Sequence, residues 1–349
     1  MIRSTKGKPL SEQVKEHVSR EVKEDKPNEG DFSNMISTGS TLLDLAISGK
    51  RVRGGGLPGG ILVEAFGPSQ SGKTALLSEI AGEIERKNGE NQFNDPEARL
   101  DAEFARLFGM SINPKNYYRP DTVTELFKNV SSWEPKNTKV INGLFGDSLA
   151  ALSTDMEMEN EDGDKMGMRR AKELSEGLRK FCRVIKNKNY LMVCSNQIRI
   201  NTDGNKYSPK YTTPGGEAVK FYASVRLRFN NPTKIKEEIT FRGKKVERTI
   251  GIETEIEVVK TVDTPYRTAP LVILYGYGID DIRANLQYVK KFTGTSMFCL
   301  NDQKLSQSLD EAVKIVEANP DSIAELKEQV IDLWELIDSK FDSNRKKER

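Results

Sequence analysis

The apolar positions along this chain alternate between two periods. Ile61, Leu62, Val63, Ala65 and Phe66 form a short run broken only by Glu64; a glycine-containing turn follows, then a helix predicted over 73–87. Over 167–187, Leu174, Leu178, Phe181, Cys182 and Ile185 recur at three- and four-residue steps, which places them on one helix face. Residues 190–195 again form a buried-strand run. Beyond them the period falls to two, in Val225, Leu227 and Phe229 and then in Ile250, Ile252, Thr254, Ile256 and Val258, with Arg242-Gly243 between the runs as a hairpin turn. Strand–helix alternation followed by paired strands predicts an α/β fold, its central sheet mostly parallel and antiparallel at one edge. One segment breaks the pattern: the run 140–145 contains Asn142 and Gly143, which an ordinary buried strand would not carry.

The two ends differ from this middle. Residues 1–30 are a charged arm in which only Val14 and Val18 share a helical face, and 26–30 interrupt it. Too polar to bury itself, such an arm is frayed or docks on something else, so an oligomerisation role is expected. After Gly276-Tyr277-Gly278 the chain becomes mainly helical. Ile323, Leu326, Val330, Leu333 and Ile337 make one stripe, Ser322 with Glu325 reads as a capping box, and Arg345-Lys346-Lys347 ends in a basic tail. The expected division is an arm (1–30), an α/β core (31–280) and a small separate α-rich C-terminal domain (281–349).

Composition mostly excludes. The three cysteines, Cys182, Cys194 and Cys299, are odd in number and dispersed, which suits a reducing compartment rather than a disulfide framework. The single histidine, His17, stands in the charged arm, so Ser-His-Asp chemistry is excluded. The first residues have no apolar segment behind them and no run of eighteen apolar residues occurs, so a cytoplasmic protein without a membrane span is expected. A net charge of +2 leaves any nucleic-acid partner to be held by local patches.

The strongest chemical signal is Gly67-Pro68-Ser69-Gln70-Ser71-Gly72-Lys73-Thr74, a GxxxxGK[ST] loop between an apolar strand and a helix. Glycines let successive N–H groups turn inward around phosphates, and the helix N-terminus adds partial positive charge. Lys73 reaches the β- and γ-phosphates, while the Thr74 hydroxyl serves Mg²⁺. The loop implies nucleotide binding. It does not imply the task, since kinases, GTPases, helicases and recombinases share it.

Reading outward from the loop, the chain resembles the RecA family of recombinases. The resemblance is carried by Ile36-Ser37-Thr38-Gly39-Ser40, Gly56-Leu57-Pro58-Gly59-Gly60, Gly146-Asp147-Ser148-Leu149-Ala150-Ala151-Leu152 and Ser195-Asn196-Gln197-Ile198-Arg199. It continues in Gly215 to Arg226, Val258-Val259-Lys260 and Ile273 to Ile279, in family order over roughly 35–280. It implies a RecA-type ATPase core binding ATP and Mg²⁺, with Asp147 as the Walker-B acid and Gln197 as the γ-phosphate sensor. Asp101-Ala102-Glu103 matches the family's letters, but register counted back from Gly109 puts Asp95-Pro96-Glu97 at the general-base position. Glu97 is therefore preferred over Glu103, with Asp101 and Phe104 in the adenine-contacting segment and Tyr275 among the nucleotide residues. Lys260 resembles a lysine that reaches the neighbouring subunit's ATP. The family's second lysine two positions on is Val262 here, a loss for which Arg267 offers a substitute.

The same resemblance implies two DNA loops. One runs over 160–170, where Met166 resembles a residue inserted between bases and Arg169 and Arg170 face phosphates. The other runs from about 200 to 216, where Gly215 and Gly216, with Lys220 and Arg226, bind backbone without reading bases. The expected function is a DNA-dependent ATPase that forms helical filaments on single-stranded DNA, admits a duplex and exchanges strands in recombination and repair, in a bacterium or a phage-infected cell. The rival readings are a hexameric helicase of related fold and an accessory paralogue. The family's acidic tail is basic here, which either attracts duplex DNA or merely solubilises.

Overall fold

The computed structural model describes residues 31–159, 166–200, 211–214, 216–261, 263–301 and 303–341. The expected arm at 1–30, Gly215, Val262, most of both DNA loops and the basic tail lie outside them.

The described chain opens with β1 (Asp31–Ile36), α1 (Thr41–Ser48), β2 (Leu57–Gly59), β3 (Ile61–Gly67), α2 (Lys73–Arg86), β4 (Asn91–Asn94), α3 (Ala102–Leu107), β5 (Tyr117–Tyr118) and α4 (Val123–Ser132). Then come β6 (Asn142–Gly146), α5 (Asp155–Glu159), α6 (Met166–Asn187), β7 (Tyr190–Gln197), β8 (Arg199–Ile200), β9 (Tyr211–Thr212), α7 (Gly216–Tyr222) and β10 (Val225–Phe229). The remainder is β11 (Thr233–Phe241), β12 (Lys244–Lys260), β13 (Arg267–Leu274), β14 (Gly278–Ile279), α8 (Asp281–Thr293), β15 (Phe298–Leu300), β16 (Gln303–Ser306), α9 (Leu309–Glu317) and α10 (Pro320–Ser339).

Ten strands form one sheet in the order β14-β13-β12-β10-β3-β7-β6-β4-β5, with β11 pairing β12 off this path. The six strands from β10 to β5 are parallel, and β11 to β14 add antiparallel pairs at one edge. This is the expected α/β arrangement. Along the central strands alternate residues serve opposite faces. Ile61, Val63, Ala65, Leu191 and Val193 join one core, and Leu62, Leu144, Tyr190, Met192 and Cys194 join the other under α4 and α6. Burial on both sides makes these strands read as nearly continuous apolar runs.

The irregular stretch that no strand should tolerate is β6, fully buried. Asn142 is held there because every polar atom finds a partner: Oδ1 accepts from Glu90 N at 2.8 Å, and Nδ2 donates to Asn137 O at 2.8 Å and Val140 O at 3.1 Å. Gly143 is there because a Cβ would stand 2.4 Å from Asn91 Oδ1. The hairpin turn falls where expected, with Arg242 and Gly243 both at positive φ.

One expectation for the C-terminal part needs correction. Asn319, not Ser322, caps α10: its side chain accepts from Asp321 N, and Pro320 takes the first helical position. The apolar residues of 281–341 are continuous with the main core. Leu286, Val289, Val316, Leu326 and Val330 belong to the same apolar cluster as Leu42, Leu45 and Ile80. Asp281 Oδ1 and Oδ2 accept from Thr41 N (2.8 Å) and Thr41 Oγ1 (2.7 Å), while Arg53 pairs with Glu328, Asp332 and Glu335. Among the described residues no helix is long and apolar enough to cross a membrane.

Asp44, on α1, accepts from the Ser37 hydroxyl (2.5 Å), Thr38 N (2.8 Å) and the Thr38 hydroxyl (2.7 Å). Burial nevertheless outweighs these donors and pushes its carboxyl up from 3.8 to about 6. The folded form therefore binds the proton more tightly than the unfolded chain. Its stabilising contribution is complete below 3.8 and is lost as pH rises through about 6, a cost of roughly 3 kcal/mol at neutral pH. Urea unfolding of wild type and Asp44→Asn at pH 4 and pH 7 checks this. The wild type should lose stability relative to the variant as pH rises, and a constant difference contradicts it.

Candidate active site

The parallel register brings four strand ends level. Gly67 of β3 pairs with Gln197 of β7, Gly146 of β6 with Cys194 of β7, and Asn94 of β4 with Gly146. The residues just beyond these ends therefore meet along the carboxyl edge of the sheet, where open α/β sheets bind ligands. There they line a cavity of about 460 Å³, together with Ser69 to Ala75 of the phosphate-type loop.

The loop is drawn in on itself. Gly72 takes φ +96, and a Cβ there would stand 2.4 Å from Ile273 Cδ1, so this position excludes a side chain. Lys73 is buried. Its ammonium donates to Pro68 O at 2.6 Å, Gly67 O at 3.2 Å and Ser71 Oγ at 3.5 Å. Burial pulls Lys73 below the usual lysine range, while the carboxylates of Asp147 and Glu97 oppose that shift. From β12, Thr254 Oγ1 donates to Ser71 O at 3.0 Å and holds the loop from the antiparallel side.

Asp147 follows β6. Thr74 Oγ1 donates to its Oδ2 at 2.6 Å, and Ser195 donates to Oδ1. Desolvation pushes this carboxyl up and the two hydroxyls pull it back. A carboxylate beside a hydroxyl at the first turn of α2 is the hard oxygen set that suits Mg²⁺.

Glu97 sits on the segment between β4 and α3. That segment is pinned by Asp95, whose Oδ2 accepts from Leu100 N (2.9 Å) and the Tyr117 hydroxyl (2.7 Å). Glu97 Oε1 accepts from Ser148 Oγ at 2.8 Å and Gln197 Nε2 at 3.3 Å, and Oε2 pairs with Arg99 Nη1 at 2.7 Å. The rival Glu103 is exposed in the first turn of α3 and does not line the cavity. Asp101 is spent as the cap of that helix, its Oδ1 accepting from Glu103 N and Phe104 N, both at 2.8 Å. Phe104 and Tyr275 do line the cavity.

Sequence reasoning missed Arg99, Thr254, Ile252 and Ile273. Ile252 and Thr254 were visible as one face of an alternating strand, but nothing local said that this face closes the nucleotide loop. Arg99 carried no signal at all.

The residues expected on DNA divide. Met166 opens α6 with its side chain outside the described part, Arg169 is exposed on the same helix, and Gly216 opens α7. Lys220 pairs with Glu217 at 2.5 Å. Arg170 is turned inward, donating to Ala150 O at 3.3 Å and pairing with Glu157 at 3.5 Å. Arg226 is paired within the chain: its Nε donates to Glu64 Oε2 at 2.6 Å, and its guanidinium lies 4.4 Å from the centre of the Phe66 ring. Glu64 is wholly buried, so this arginine is held as a counter-ion rather than presented to solvent. Glu64 Oε1 also accepts from Asn196 Nδ2 at 2.9 Å, and that amide donates to Pro214 O at 3.0 Å, where the second loop ends.

Lys260 donates to Lys220 O (3.0 Å) and Phe221 O (2.9 Å) at the end of α7, and within one chain it does not line the cavity. Arg267 pairs with Asp338 at 2.7 Å and stacks 4.6 Å from the Trp334 ring, contacts that tie β13 to α10.

Comparison with known proteins places this arrangement. Residues 21–280 match the RecA N-terminal domain family. Protein RecA of Delftia acidovorans is 33% identical over 305 residues, covering 85% of this chain and 78% of that protein. Protein RecA of Pseudomonas fluorescens and of Pseudomonas tolaasii are each 34% identical over 304 residues, covering 85% of this chain and 81% of theirs.

Proposed function

Because this chain belongs to the RecA family, we propose that its strand-end cavity holds ATP and that the terminal phosphate there governs the grip on DNA. The protein is a DNA-dependent ATPase that carries out strand exchange in recombination and repair. One observation supports the site reading above others. Thr74, Asp147, Ser195, Glu97, Ser148 and Gln197 come from four separate segments, and two hydrogen-bonded groups of them stand at the same loop.

In this reading the loop amides and Lys73 hold the phosphates. Thr74 and Asp147 are the residues that would hold Mg²⁺, which when bound offsets phosphate charge. Glu97 orients the attacking water and takes its proton as the new bond to phosphorus forms and the bridging bond to the ADP oxygen breaks. Gln197 donates to a terminal phosphate oxygen without adding charge, and that contact ends with hydrolysis. From Gln197 the signal has a short route to DNA: the adjacent Asn196 is tied to Pro214 at the end of the second loop. Phe104 and Tyr275 face the base. Lys260 acts across the seam of a filament, leaving the carbonyls of α7 to meet a neighbouring protomer's phosphates. ATP thus acts as a ligand whose differential affinity sets the state of the filament.

Titration of a single-stranded oligonucleotide with ATP analogue or ADP, over a range of salt, tests this. The triphosphate state should bind more tightly and depend more steeply on salt, each added phosphate contact contributing about 0.7 to the slope. Equal affinity and slope in both states would reject it. Electron microscopy of the triphosphate complex should show open helices; closed rings would favour a helicase.

A further inference from the structure

Both oxygens of Glu97 are already occupied. Ser148 and Gln197, the latter at the exposed end of β7, serve Oε1, while Oε2 is held by Arg99. These partners are not equally firm. Ser148 is buried, whereas the Arg99 side chain is 69% exposed at the mouth of the cavity. An ion pair with one exposed partner is weakly held, and a stronger anion nearby displaces it. Arg99 lines the same cavity as Lys73, so two cationic side chains face one space. Two cations that repel each other across one cavity are both relieved when a polyanion enters between them.

We infer that Arg99 is an exchange residue, paired with Glu97 until a triphosphate enters and then transferred to its terminal phosphate. A phosphate carries more charge than a carboxylate and accepts a guanidinium through two oxygens, so the transfer is favourable. It has a second consequence. When Arg99 leaves, Oε2 loses its donor and is available to accept the proton of the attacking water. The carboxylate is thus blocked without nucleotide and released by the substrate. Arg99 is a positioning residue for Glu97 and a specificity residue for triphosphate over diphosphate. The catalytic meaning rests on Glu97 as the base; the exchange itself does not.

The test is a double-mutant cycle on binding, with adenylyl-imidodiphosphate and ADP as probes so that hydrolysis plays no part. Glu97→Gln keeps the volume and removes the competing charge, so it should bind the triphosphate analogue about 5-fold or more tightly than wild type, with ADP little changed. In the Arg99→Ala background the same substitution should give no gain. Arg99→Lys should keep part of it, because the charge remains and the two-point contact is lost. An equal gain in both backgrounds, or no gain in either, overturns the exchange. Hydrolysis measured on the same variants separates the two claims: a Glu97→Gln protein that still turns over ATP removes Glu97 as the base and leaves the binding cycle to be judged alone.

Discussion

Replacing Glu97 by glutamine should slow DNA-stimulated ATP hydrolysis by about 10²–10⁴-fold while nucleotide still binds. The carboxamide fits the space between Ser148 and Gln197 but cannot take a proton from water. Glu103→Gln should hydrolyse ATP at the wild-type rate. Glu103 is exposed on α3 and does not reach the cavity, and Asp101 rather than Glu103 caps that helix. Single-turnover hydrolysis with saturating single-stranded DNA checks both variants. Normal turnover in Glu97→Gln together with loss in Glu103→Gln would reverse the assignment. Geometry is what separates the two glutamates, since both stand close together in sequence. Only the loop pinned by Asp95 delivers one of them to the strand ends.

Arg226→Ala should destabilise the fold by about 3–5 kcal/mol, because it leaves the fully buried Glu64 carboxylate without its cation. That is a large share of a domain's total stability of about 5–15 kcal/mol. Asn196 remains as a donor to Glu64, but one neutral hydrogen bond does not offset a buried charge. Paired replacement by Gln at 64 and Met at 226 should recover most of the loss, since it removes both charges and retains volume. Urea unfolding measures each variant. If Arg226→Ala unfolds like wild type and instead loses affinity for single-stranded DNA, the arginine serves phosphates as its position in the family motif suggested, and the counter-ion reading fails.

The arginines show why one part of the site was legible and another was not. A GxxxxGK[ST] loop announces itself because its chemistry is built from consecutive backbone groups, and consecutive residues are what a sequence displays. Arg99, Arg170 and Arg226 are identical as letters. One closes on a catalytic-type carboxylate, one turns onto the Ala150 carbonyl, and one neutralises a buried glutamate 162 residues away. Asn142 and Gly143 posed the same difficulty in reverse. They looked wrong for a strand because their partners, Glu90, Asn137 and Asn91, lie on other segments.

The helices after the nucleotide loop and over 166–187, the helical C-terminal part, the parallel centre with its antiparallel edge, the hairpin turn and the nucleotide loop all follow from local order. They depend on side-chain periodicity and on backbone torsions that neighbours dictate. Which glutamate lines the strand-end cavity, which arginine is spent inside, and what the helices of 281–341 pack against were decided only when distant segments came together. Those outcomes are contacts between residues far apart in the chain, and pair distances are not a property of any one stretch of letters. The C-terminal helices make the point most simply. Their apolar stripe was plain to see, but a stripe does not say what it will cover: Leu326 and Val330 join the same core as α1 and α2, while Ile323 is exposed.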